Sequence, residues 1–104
     1  MDRPDNQIIA DRLEALGNVS RLEIYRLLVR AGPTGIPVGE VQRKTGIARS
    51  TLSHHLRRLI AVGLARQERD GTTLFCQARY EAMHQTVAFL AAECCADAQT
   101  TDAA

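Results

Sequence analysis

Three cysteines and one run of hydroxyl, imidazole and guanidinium side chains are the groups in this sequence equipped for chemistry. Cys76 stands alone, whereas Cys94 and Cys95 are adjacent. An odd number with an adjacent pair argues against a disulfide framework and for reduced thiols. Such thiols have three uses: capture of a ligand, reversible oxidation, or burial as a small hydrophobe. Adjacent helical residues diverge by about 100°, so Cys94 and Cys95 both reach one ligand only if a helix frays there. No nucleophile–base–acid set, phosphate-binding glycine loop or open metal site can be assembled, and an enzyme is not expected.

The polar run lies in Ile47–Leu64, IARSTLSHHLRRLIAVGL. Leu52, Leu56, Leu59 and Ile60 share one side of a 3.6-residue period and belong to a core. Ser50, His54, Arg57 and Ala61 lie opposite, flanked by Arg49, Thr51, Ser53 and Arg58. Small residues let a helix enter the major groove of DNA, while Arg, Ser and Thr supply donors for phosphates and base edges. A charged helix side is as often simply solvated, so the flanking elements must decide. His54 is expected to face outward, and His55, beside the leucines, to be packed or hydrogen-bonded.

The positioning elements follow from spacing and breakers. Ile8, Ile9, Leu13 and Leu16 predict a helix over about 7–16 closed by Gly17. Leu22, Ile24, Leu27 and Leu28 predict a second over about 19–31, capped by Asn18 or Ser20 and stopped by Gly32-Pro33. Pro33–Pro37 reads as a short extended piece, and Val38–Thr45 as a short helix closed by Gly46. A short helix, a tight glycine-containing turn and a longer basic helix form a helix-turn-helix. Beyond Gly63, Leu64–Glu68 and Thr73–Ala78 read as strands joined around Arg69–Thr72, whose Asp-Gly suits a hairpin. A hairpin there is a wing, from which Arg66, Arg69 and Thr72 reach phosphates or the minor groove. In Tyr80–Cys95, the residues Tyr80, Met83, Val87, Leu90 and Cys94 step by three and four, the spacing of a helix–helix seam.

The expected fold is mainly α with a small β-hairpin: a winged helix-turn-helix of about five helices plus wing, dimerising through its first and last helices. One domain is expected over 7–96, with a flexible start at 1–6 and a disordered tail at 97–104. The 13 Lys and Arg against 12 Asp and Glu say little, but their placement says more. Arg43–Thr72 holds seven basic residues against two acidic, whereas Glu81–Ala104 holds four acidic and no basic ones. The first stretch can face a polyanion; the second would be repelled by it. No apolar run approaches the ~18 residues needed to span a membrane and no signal segment opens the chain, so a soluble, cytoplasmic protein is expected.

Across residues 8 to 95, the pieces LGNVSRLEIYRLLVRAG and IARSTLSHHLRRLIAVGLARQERDGTTLFCQARY resemble the ArsR/SmtB family of bacterial winged helix-turn-helix repressors. The resemblance implies a homodimer on an inverted-repeat operator in double-stranded DNA. It also implies release when a metal or metalloid, or in some branches an oxidant or sulfur species, acts on the protein. Arg49, Ser50, Thr51, Ser53, His54, Arg57, Arg58 and, on the wing, Arg69 are the expected DNA contacts. The Cys-x-Cys of the founding arsenite and cadmium sensors is absent from Gly39–Arg43, and His84 with Glu93 is an incomplete version of the zinc set. Cys76, Cys94 and Cys95 instead resemble the arsenic-sensing branch with a C-terminal vicinal pair.

The implied inducer is trivalent arsenic, as arsenite or methylarsenite, with Sb(III) a further candidate and no resident cofactor. Soft thiolates suit such ions. A helix from Tyr80 to Cys94 rises about 21 Å at ~1.5 Å per residue, so Cys76 and the pair are expected to meet only across an antiparallel dimer. Three thiolates would match arsenite, and two would match a methylated species. Thiol oxidation or a sulfur species acting on the same cysteines is the alternative, and a winged helix serving as a protein-interaction module is another.

Overall fold

The computed structural model describes residues 4–98. Its elements are α1 (Asn6–Leu16), α2 (Val19–Ala31), β1 (Ile36–Pro37), α3 (Val38–Thr45), α4 (Arg49–Ala61), β2 (Ala65–Asp70), β3 (Thr73–Ala78) and α5 (Tyr80–Ala91). This is the expected winged helix-turn-helix of five helices and a hairpin.

Local signals act where expected. The Asp5 carboxylate accepts from the Ile8 N–H at 2.9 Å and starts α1 one residue earlier than its apolar spacing predicts. Asn18 accepts from the Arg21 N–H at 3.0 Å and starts α2. Such caps satisfy N–H groups that the first helical turn leaves open. Gly46, at φ +71°, ends α3 in the left-handed region. Thr45 Oγ1 then donates to the Val41 carbonyl at 2.9 Å and accepts from the Ile47 N–H at 3.2 Å, fixing the turn into α4.

Ile24, Leu28, Val41, Leu52, Leu59 and Leu64 are wholly inaccessible, and Leu56 nearly so. They bind α2, α3, α4 and the wing into one core, each such side chain contributing about 1.5–3 kcal/mol on burial. The sheet is antiparallel in the order β1-β3-β2, with Ile36 and Gln67 flanking Cys76 in the central strand.

Besides the early start of α1, three elements differ from the expectation. The long basic helix, α4, is Arg49–Ala61, shorter than Ile47–Leu64, because Ala48 is extended and Gly63 takes φ +81°. The hairpin pairs through Asp70↔Thr73, leaving only Gly71 and Thr72 in the loop. The last helix stops at Ala91 rather than Cys95, and four-residue turns follow, closed by Cys94 N–H to Ala91 O and Ala96 N–H to Glu93 O. Residues 91–98 are exposed, so no burial supports further helix there.

The α5 seam also divides. Tyr80 Oη donates to the Val29 carbonyl at 2.8 Å, and Met83 packs on the chain's own core. Val87 and Leu90 remain 63% exposed, and Ile8 and Leu13 on α1 are exposed as well. The expectations for residues 1–3 and for the tail beyond Ala98 lie outside the described residues.

Candidate nucleic-acid interface and thiol pair

Leu52, Leu56 and Leu59 anchor one side of α4, which turns Arg49, Ser50, Thr51, His54 and Arg57 outward into solvent. Ser53 is half-buried on the flank. None of these side chains is engaged in a salt bridge among the described residues. Arg69 is exposed near the wing tip, opposite Leu74 in the ladder. Donors along one helix plus a guanidinium on an adjoining hairpin match a helix in the major groove and a wing on the backbone.

Two basic residues of the expected set are held elsewhere. Arg58 is ion-paired with Glu14 of α1, which draws it off the outward face toward the chain's own first helix. Arg66 Nε donates to Gln77 Oε1 at 2.6 Å. The buried Gln77 amide in turn donates to the Thr34 carbonyl at 3.1 Å and to Glu68 Oε1 at 2.8 Å, so it pins the wing to the chain before β1.

The histidines separate by environment. His54 is exposed, whereas His55 Nδ1 sits 3.3 Å from the Arg21 guanidinium. Burial, then the charge of Arg21, pushes the His55 pKa down and favours the neutral ring that can accept from Arg21.

Arg21 and Arg12, both buried, belong to the site's support although the sequence reading passed over them. A signal was present. Arg12 falls between Ile9 and Leu16 at spacings of three and four, and Arg21 precedes Ile24 and Leu28 in the same way. A charge in an apolar stripe is a charge that must find acceptors inside. Arg21 Nε donates to the Ala15 carbonyl at 2.7 Å.

The thiols fall into two classes. Cys76 is fully buried in β3, with Gln67 Nε2 3.7 Å from its Sγ. Burial pushes its pKa up, against weaker opposing effects of the Gln67 amide and the Arg49 charge. Cys94 and Cys95 are exposed, with their sulfurs 3.8 Å apart, and Cys95 adopts φ +61°. Helix termination before the pair removes the divergence that a regular helix would impose. The two exposed sulfurs therefore stand near one another as a pair of soft donors. Cys76 does not join it within one chain: among the described residues no three His, Cys, Asp or Glu side chains cluster as a metal site.

These environments predict a thiol titration in two phases. Under native conditions Ellman's reagent should react quickly with two sulfurs per chain. The third should wait for opening of the sheet and become fast only in denaturant. Three equally fast thiols would contradict the burial of Cys76.

Residues 16–68 match a family of helix-turn-helix domains. The HTH-type transcriptional regulator YceK of Bacillus subtilis is 35% identical over 79 residues, covering 76% of this chain and 78% of that one. An ArsR-like transcriptional regulator from Rhodococcus has the same fold at a TM-score of 0.71 and 24% identity, over 81% of this chain and 76% of that one. The homodimeric winged helix-turn-helix domain of Mb0332 from Mycobacterium bovis superposes at a TM-score of 0.67 with 25% identity, over 89% and 91% of the two chains.

Proposed function

Because the chain belongs to the helix-turn-helix transcriptional regulators, we propose that it is a homodimeric repressor of the ArsR type that leaves operator DNA when trivalent arsenic joins its C-terminal thiols. The observation that carries the regulatory half is the exposed Cys94–Cys95 pair at 3.8 Å; the unengaged outward face of α4 carries the DNA-binding half. Val87, Leu90, Ile8 and Leu13 supply the apolar surface for the second copy. Two copies would present two reading helices to an inverted repeat with half-sites about 10 base pairs apart or a multiple of it.

Ligand capture is a substitution at arsenic. Each thiol gives up its proton and forms an As–S bond, an As–O bond breaks, and the oxygen leaves as water. Two thiols satisfy two of arsenic's three valences, so an organic substituent on the third, as in methylarsenite, suits the pair better than arsenite. The burial of Cys76 supports this two-thiol reading; a third thiolate from Cys76 across the dimer would require β3 to release it. Closure of the arsenical across 94 and 95 would stiffen the turn after α5 and shift the dimer seam. A coupling of about 1–3 kcal/mol makes DNA release roughly 5- to 150-fold easier, provided the arsenical prefers the DNA-free state.

Fluorescence anisotropy on a palindromic duplex, titrated with salt and with methylarsenite, tests the reading. Wild type should bind with a steep salt dependence, from counterion release, and lose about tenfold or more in affinity with the arsenical. Cys94→Ser and Cys95→Ser should bind DNA within twofold of wild type yet stay bound in methylarsenite, and Cys76→Ala should respond normally. Release of both serine variants would eliminate the thiol-pair site. Intersubunit crosslinks under mild oxidant, with release by the oxidant and none by arsenicals, would favour thiol-redox sensing instead.

A further inference from the structure

Arg12 of α1 is a cation buried among neutral acceptors. Its Nε donates to the carbonyl of Val62, the residue that caps α4, at 3.3 Å. Its Nη1 donates into α5, to the Ala82 carbonyl at 3.3 Å, Gln85 Oε1 at 3.4 Å and Thr86 Oγ1 at 3.2 Å. Thr86 Oγ1 itself donates to the Ala82 carbonyl at 2.8 Å, which fixes the acceptor's direction. Nη2 lies beside Gly63, where an added Cβ would stand 3.8 Å away. No carboxylate forms a salt bridge with this guanidinium among the described residues.

Burying an unpaired charge is costly, and apolar residues of like volume often serve stability as well or better. Stability alone therefore does not account for an arginine here. What a planar guanidinium adds is a rigid fork whose arms hold two elements in a defined relation. One arm grips the exit of the reading helix at the root of the wing. The other grips the first two turns of α5, the helix that precedes the thiol pair.

We propose that Arg12 is a positioning residue that couples α5 to α4, so that the state of the last helix sets the pose of the reading helix and DNA on α4 sets the order of α5. This rests on the DNA-binding reading above, not on the identity of the inducer. Linkage makes the coupling reciprocal, so it is measurable without any arsenical.

The test is hydrogen exchange by mass spectrometry on the full chain, free and saturated with a duplex recovered by in vitro selection from a random pool. In wild type, DNA should slow exchange in α3, α4 and the wing, and also in α5 by about tenfold, within the span of ordinary couplings. In Arg12→Met the slowing in α5 should fall below about twofold while that in α4 persists, with Arg12→Lys in between. Should Arg12→Met fail to fold, the pair Gln85→Leu with Thr86→Val removes two acceptors from the α5 side, leaves the arginine in place and should weaken α5 protection in the same sense. Undiminished α5 protection in these variants, or none in wild type, overturns the coupling. Failure to select any duplex overturns the DNA reading and this inference with it. A wild type that shows the coupling but ignores methylarsenite would retain Arg12's role and discard the arsenic reading.

Discussion

A chain carrying Arg49→Ala and Arg57→Ala should bind its operator about a thousandfold more weakly at moderate salt. Both guanidiniums leave the exposed face of α4, and neither has a carboxylate partner among the described residues to hold it back. In a symmetric dimer each substitution acts twice. At about 1 kcal/mol per lost contact, the low end of the usual range, four contacts amount to about 4 kcal/mol, or roughly three decades. The salt dependence divides that loss by kind: every phosphate contact removed should shallow the slope of log K against log salt by about 0.9. A loss with unchanged slope would assign both residues to base edges. Arg58→Ala is the internal control, because Glu14 already occupies that guanidinium. It should weaken binding less than about fivefold, in keeping with a side chain that makes no base contact. Equal losses at Arg57 and Arg58 would show that the reading face is drawn wrongly, with Arg58 leaving Glu14 for DNA.

The second large effect lies at Gly35 and is one of stability. Gly35 takes φ +90°, and a Cβ there would meet the Cys76 carbonyl oxygen at 2.5 Å and Gln77 Cγ at 2.6 Å. Neither neighbour can yield cheaply, since one is backbone of the central strand and the other belongs to a buried side chain that bridges Thr34, Arg66 and Glu68. Gly35→Ala should therefore cost about 3 kcal/mol or more: about 1–3 kcal/mol for the backbone conformation, with the steric overlap added. For a domain of this size each kcal/mol lowers the melting temperature by about 4–8 °C, so a fall of ~12 °C or more is expected by circular dichroism. Gly71→Ala is the comparison. It shares a positive φ, +64°, but meets open space, so only the conformational part should appear. A Gly35→Ala protein melting with Gly71→Ala would mean that β1 is not held against β3 as described.

Much of this architecture was legible because its determinants are local. The α2 and α3 helices fall at the residues that spacing and breakers predict, since Asn18, Gly32-Pro33 and Gly46 act within a turn of where they stand. The reading face of α4 was legible for the same reason: four apolar residues on one side leave the other side to polar groups. Local spacing served α5 less well. Its three-four pattern predicted one continuous seam, but Tyr80 and Met83 turn to the chain's own core while Val87 and Leu90 do not. Periodicity reports that residues share a face without naming what covers it.

By itself, then, the sequence determined the elements, their order, the helix-turn-helix and its polar face, because each depends on side chains within a few positions of one another. Only the tertiary structure decided the fates of individual polar groups and thiols. Arg58 is drawn away from the reading face by Glu14, 44 positions earlier, and Arg12 finds its acceptors 50 to 74 positions along the chain. Cys76 is sealed between Ile36 and Gln67, whereas Cys94 and Cys95 are left outside by a helix that ends where packing ends. These outcomes turn on which distant surfaces meet, and burial by a distant surface leaves no period in the sequence.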